Sequence, residues 1–232
     1  MRNMQAIFIK QFLSYVKKPQ LFATPLFFVG MAFVFTLITD SEEFYPWALA
    51  NQLSVMFLGI GTIGVAASFI WEDYATMNLR FMFMSGVKSF QYLVATGVVL
   101  LPISFVVLLL LGAIGGYLGN GMIIFLSLTM LGAVAAILFG LTLAFLPEKI
   151  AVIASSTLPL VVGFAPMISD ASDELALIFY FLFTRQIQVA LNGMMEYGID
   201  PTRSFYIVLA NIGVILLVFA VLQKINGRDW HK

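Results

Sequence analysis

The chain has 232 residues, 61% of them hydrophobic and only 10% charged, and its mean hydropathy is +1.00. So few charges cannot cover so much apolar surface in water, which excludes both a single soluble globule and a disordered chain. Twelve basic residues balance 12 acidic ones, so no net field favours nucleic acid as a partner, and the absence of cysteine excludes disulfides and thiolate metal sites. The composition is that of an integral membrane protein.

The chain opens on a basic stretch in which Met4, Phe8, Phe12 and Tyr15 recur at helical spacing, with Lys10, Ser14 and Lys17 off that stripe. The spacing predicts an amphipathic helix over 1–18 lying in the cytoplasmic interface and closed by Pro19. A span-length apolar run follows without a small-residue cleavage site, so the segment reads as retained rather than as a cleaved leader.

Charge-free runs then locate the crossings: Pro19–Thr39 (21 residues), Phe44–Trp71 (28), Ser89–Pro147 (59), Ile150–Ser169 (20) and Ser204–Gln223 (20). A helix needs roughly 20 apolar residues to span about 30 Å of hydrocarbon. The 59-residue run is too long for one helix, and Gly119-Asn120-Gly121 divides it into spans near 90–118 and 122–146. Six transmembrane helices result, in a single all-α transmembrane domain covering 1–232. Outer-membrane strands would alternate over about ten residues, and these runs do not.

Placing the N-terminus in the cytoplasm puts Arg2, Lys10, Lys17, Lys18, Arg80, Lys88, Lys149, Lys224, Arg228 and Lys232 inside and only Arg185 and Arg203 outside. Eight of the 12 acids (Asp40, Glu42, Glu43, Asp170, Asp173, Glu174, Glu196 and Asp200) fall outside. The positive-inside rule therefore predicts a multi-pass plasma-membrane protein with both termini cytoplasmic. Leu175–Met195 is mostly apolar but carries Arg185, Gln186 and Gln188 at its centre. As a seventh span it would bury Arg185 at roughly 3 kcal/mol and send Lys224 outside. The alternative is a re-entrant pair within 170–203, with helices near 175–184 and 186–196, dipping into the outer leaflet and returning.

Catalytic patterns are missing. The sole histidine is His231 near the chain end, no G-x-x-x-x-G-K-[ST] loop occurs, and no acidic pair falls inside a span. The chain is therefore expected to be a non-enzymatic subunit that binds no cofactor or metal of its own. Its uncharged polar interior supplies candidates for a translocation path, foremost Asn51, Gln52, Thr62 and Asn211. Ser68, Thr129, Thr142 and Ser155–Thr157 are weaker, since such hydroxyls usually bond their own helix. Gly132, Ala136 and Gly140, Gly112 and Gly116, and Gly59, Gly61 and Gly64 form small-residue seams suited to a dimer interface or, more commonly, to packing within one subunit. Pro25, Pro102 and Pro159 mark candidate kinks.

The 71–88 loop reads W-E-D-Y-A-T-M-N-L-R-F-M-F-M-S-G-V-K. Glu72 and Asp73 fall where a short helix would begin, Met77, Phe81 and Met84 form an apolar stripe, and Gly86 ends it. Such a face needs lipid or a protein groove to cover it. In this loop Glu72 and the Thr76-Met77 pair resemble the E-[RK]-E-x-G-T-[LIM]-x-x-L-[LM] pattern of type-2 ABC exporter membrane subunits. Ala75 stands where glycine is usual, Phe81-Met82 where a leucine pair is usual, and Gly86-Val87 where Pro-Val is common. The layout of six spans, interfacial helix and outer re-entrant pair is similar over nearly the whole chain.

The resemblance implies a permease of the drug-, peptide-, polysaccharide- and lipid-exporting class, possessing the compact length of peptide-toxin and bacteriocin-immunity exporters. It implies cytoplasmic ATPase subunits that bind ATP and Mg and push on a coupling helix at 72–84 (Glu72, Asp73, Thr76, Met77, Phe81, Met84). It also implies a second permease chain, identical or homologous, an outer gate at the pair around Arg185, and an amphipathic peptide, antibiotic or lipid-like substrate. Two other transporters share the layout: a haem-exporter permease, which would need a haem-handling partner, and the membrane subunit of an energy-coupling vitamin importer, which would not need the amphipathic loop. A lipid-transferring enzyme lacks its acids and histidines here, and a plain scaffold would show no nucleotide dependence.

Overall fold

The computed structural model describes residues 2–39, 45–143, 145–146 and 148–226. Asp40, Glu42, Glu43, Arg228, His231 and Lys232, which entered the reading above, lie outside the described residues, as does the side chain of Met4. The described elements are all helical: α1 (Arg2–Lys17), α2 (Pro19–Ile38), α3 (Pro46–Met56), a π-helical segment (Phe57–Ile63), α4 (Gly64–Ala75), α5 (Asn78–Met84), α6 (Ser89–Ile114), α7 (Gly119–Leu143), α8 (Glu148–Ser169), α9 (Asp173–Ile178), α10 (Phe183–Tyr197) and α11 (Thr202–Asn226). Six helices among the described residues are long and apolar enough to cross a membrane: Leu21–Ile38, Pro46–Tyr74, Ser89–Ile114, Gly119–Leu143, Ile150–Ser169 and Thr202–Lys224. These are the crossings of a multi-pass membrane protein, and they match the six charge-free segments.

The helices form one bundle with α7 at its centre, touching α4, α6, α8, α10, α11 and the π segment. The second crossing runs through α3, the π segment and α4 and is the most enclosed; the sixth, α11, lies at the periphery with most of its residues exposed. One apolar core gathers Leu58, Leu108, Leu111, Phe125 and Ile187. A second, at the end where α1 packs, gathers Ile7, Phe69, Tyr92 and Leu141. The small residues of α7 serve this packing. A side chain at Gly132 would strike Ile187 and Leu58, and one at Gly140 would lie 2.6 Å from the Ile63 carbonyl. At these two positions the surface of α7 is covered from within the chain.

Four local boundaries differ from the sequence reading, each for a physical reason. The break between the third and fourth crossings falls at Gly115–Leu118, and Gly119–Gly121 open α7. Gly116 adopts φ +78, and the Tyr117 and Gly116 N–H groups bond back to the carbonyls of Gly112 at 3.0 Å and Ala113 at 3.1 Å. That Schellman geometry stops α6 one turn before the Gly-Asn-Gly signal. Secondly, Glu72 and Asp73 sit in the last turn of α4 rather than the first turn of the short helix. Nothing breaks α4 before Thr76, and α5 starts only after Met77, whose φ is +57. Thirdly, α1 packs through Ile7, Gln11 and Tyr15, while Phe8, Ile9, Phe12, Leu13 and Val16 face outward. Fourthly, the 175–195 stretch divides at Phe179–Leu182, not at Arg185. Ser172 caps α9 by accepting the Leu175 N–H at 3.2 Å, and Leu182 is extended ahead of α10.

Pro25, Pro102 and Pro159 all lie inside helices, with Pro166 a second proline in α8.

Candidate functional site

Two polar clusters occupy opposite ends of the second crossing. At the α4 end, the carboxylate of Asp73 is 2% exposed. The ammonium of Lys10 pairs with its Oδ1, while Gln11 Nε2 at 3.1 Å and the Tyr92 hydroxyl at 2.8 Å donate to Oδ2. Gln11 Nε2 also lies 2.8 Å from the Tyr92 oxygen. Beside it Lys18 pairs with Glu72. A buried carboxylate at a helix C-terminus faces the negative end of the macrodipole, and one cation with two neutral donors is what makes the position tenable. Both acids of the W-E-D run are thus taken up by the N-terminal segment and α6. Tyr15, one turn on from Gln11, donates to the Leu21 carbonyl at 3.2 Å, and burial pushes its hydroxyl up to about 12.

Next to these pairs α5 presents the opposite chemistry. Phe81 and Met84 of α5 are 67% and 66% exposed, and Met77, in the left-handed turn just before it, is 58% exposed. Thr76 turns its hydroxyl onto the Glu72 carbonyl at 2.7 Å and receives Asn78 Nδ2 at 2.8 Å, which fixes the corner between α4 and α5.

At the α3 end, Asn51 Nδ2 donates to Asn192 Oδ1 at 2.9 Å, and the Tyr117 hydroxyl donates to Asn51 Oδ1 at 2.6 Å. One residue on, Gln188 Nε2 donates to Gln52 Oε1 at 2.7 Å. Arg185 Nη1 reaches Gln188 Oε1 at 3.1 Å and Asp170 Oδ1 at 2.6 Å. Three of the residues singled out from sequence, Asn51, Gln52 and Arg185, therefore share one region between α3 and α10. Burial raises the Tyr117 hydroxyl to about 12, against the lowering effect of its bond to Asn51.

The other two candidates lie elsewhere. Thr62 is in the π segment, buried, with its hydroxyl unpaired, and Asn211 ties α11 to the α9–α10 turn through the Phe181 carbonyl at 2.7 Å. Ser68, Thr129, Thr142, Ser155 and Ser156 bond carbonyls of their own helices. Sequence reasoning missed Tyr117, Asp170 and Asn192. The last had a signal: Arg185, Gln188 and Asn192 recur at i, i+3, i+7 on an amphipathic stretch.

Compared with models of known protein families and with curated proteins, the chain matches none.

Proposed function

We propose that this chain is the membrane subunit of an ATP-driven exporter of the type-2 ABC kind. It moves an amphipathic or hydrophobic substrate, such as a peptide, antibiotic or lipid-like molecule, from the cytoplasm or inner leaflet. A separate ATPase that binds ATP and Mg docks on α5, and a second permease chain, identical or homologous, completes the pathway. The observation that carries this reading is the exposed apolar trio of Phe81 and Met84 on a short helix strung between two crossings and Met77 in the turn that opens it. An apolar face held rigidly by its flanking spans suits a groove that pushes on it.

The remaining features support the same reading. With Ile7, Gln11 and Tyr15 packed inward and Phe8, Ile9, Phe12, Leu13 and Val16 outward, α1 suits the membrane interface. Because Lys10 and Lys18 already occupy Asp73 and Glu72, the acids brace the coupling helix and leave the ATPase an apolar surface to grip. The α9–α10 pair is the outer re-entrant element, and the Arg185–Asp170 pair closes the exit above Asn51 and Gln52.

The test is purification of the tagged chain from its native host in mild detergent, with subunit composition read by native mass spectrometry. The expected result is a stoichiometric Walker-motif ATPase. A Met77→Ser/Phe81→Ser/Met84→Ser variant with an unchanged melting temperature should lose it. A wild-type chain that purifies alone in several mild detergents overturns the proposal.

A further inference from the structure

The second crossing carries a π-helical segment of seven residues, Phe57–Ile63, between two ordinary α-helices. Extended π geometry is rare and occurs frequently at functional sites. Its ends are anchored differently. Below it, α4 is held by the Lys10, Gln11 and Tyr92 contacts to Asp73 and by Lys18 on Glu72. Above it, α3 is held to α10 through Asn51–Asn192 and Gln52–Gln188. The walls around the segment are backbone. A side chain at Gly59 would run into the Gly163 backbone of α8, and one at Gly140 of α7 into the Ile63 carbonyl. Thr62 is 4% exposed, and its hydroxyl has no hydrogen-bond partner. Thr36, Thr129 and Thr142, all in α-helices, bond the carbonyl four residues back at 2.7–2.8 Å.

An i→i+5 helix winds more slowly than an i→i+4 helix, so seven residues in π form make about the rotation of six in α form. The segment therefore stores roughly one residue of register. We infer that it is a two-state joint: relaxing to α form, with α4 fixed, advances α3 by about 1.5 Å and turns it by about 100°. Gln52 then takes the place of Asn51 opposite Asn192, and Leu53 takes the place of Gln52 opposite Gln188. Asn51 moves to the place of Ala50, whose methyl group packs directly against Gly115. Glycine at 59, 140 and 163 brings the segment into direct contact with α8 and α7, so its winding is felt by both, and the unpaired Thr62 hydroxyl gains its carbonyl when the α ladder forms. The two polar clusters thereby communicate through a single helix, whichever partner drives the chain.

The absence of native cysteine makes this directly measurable in lipid nanodiscs. An Asn51→Cys/Asn192→Cys pair reports the register described here, and a Leu53→Cys/Gln188→Cys pair reports the advanced one. Under mild oxidation the first pair should cross-link quickly, and the second more slowly but completely. Deleting Ile60 removes the stored residue, so it should suppress the second cross-link at least tenfold and leave the first unchanged. Equal rates for the second pair with and without Ile60 overturn the inference. Hydrogen exchange on the unmodified chain tests it should the deletion prevent folding. Amides of 57–63 should then exchange at least tenfold faster than those of 50–56 and 64–70, and equal protection across all three overturns it.

Discussion

At the scale of single residues, Asp73 and Glu72 are neighbours in sequence with unequal weight in the fold. Asp73 is enclosed, so removing Lys10 leaves a buried carboxylate with only Gln11 and Tyr92 to satisfy it. Lys10→Met should cost about 2 kcal/mol, in the range of a hydrogen bond to a buried charge. The Lys18–Glu72 pair is about a third exposed on both sides, and Lys18→Met should cost no more than about 0.5 kcal/mol. Thermal unfolding of the two variants in one detergent checks the contrast, and equal shifts would remove Asp73 from its central role. The tyrosine hydroxyls give a pH signature. Burial holds Tyr15 and Tyr117 neutral to about 12 in the fold, whereas the unfolded chain ionises them near 10. The folded state then binds more protons than the unfolded state between those values, so stability present below pH 10 falls as pH rises toward 12. Tyr15→Phe and Tyr117→Phe should each flatten that decline in melting temperature, without shifting its value at pH 8 in opposite directions.

At the scale of elements, the glycines separate by what surrounds them. Gly97 lies within α6 with nothing in the space a side chain would take, so Gly97→Ala should stabilise by about 0.8 kcal/mol through helix propensity alone. Gly140 faces the Ile63 carbonyl and Ala66, and Gly140→Ala should destabilise by about 1–3 kcal/mol through overpacking. Melting temperatures that move in the same direction would refute the assignment of Gly140 to the α4–α7 seam. The same elements indicate what a sequence reveals. The crossings were legible because lipid forbids charges over a fixed length, leaving the six apolar runs plain. Helix ends were less so: the Gly-Asn-Gly signal at 119–121 was outcompeted by Gly116, whose left-handed backbone is set by tertiary packing of Tyr117 on Phe125 and Asn51. The pairing of α3 with α10 was not legible at all. Asn51 and Asn192 are 141 positions apart, and no local periodicity links them. Nor does composition announce the π segment, since Phe57–Ile63 reads as ordinary apolar helix.

At the scale of the whole molecule, the bundle and the charge pattern make one joint demand. Six crossings return α1 and the end of α11 to the same side, and the orientation proposed from the Lys/Arg distribution makes that side the cytoplasm. In that orientation the polar clusters lie at different faces of the membrane, Lys10–Asp73 inside and Arg185–Asp170 outside. A seventh crossing through α9 and α10 would place Arg185 in hydrocarbon. It would also draw Arg185 away from Asp170 at the membrane surface, although the two are ion-paired. The stretch is instead bent at Phe179–Leu182, and α10 buries Gln186, Gln188 and Thr184 against α3, α8 and α11, as expected of a segment folded back into protein rather than laid through lipid. Single cysteines in this cysteine-free chain settle the arrangement. Gln5→Cys and Lys224→Cys, both exposed, should be labelled by a membrane-impermeant maleimide only after the cells are opened. Asp200→Cys, exposed in the turn between α10 and α11, should be labelled in intact cells. Labelling of Lys224→Cys from outside with Gln5→Cys protected would require an odd number of crossings, and would dismantle both the outer pair and the gate assigned to Arg185.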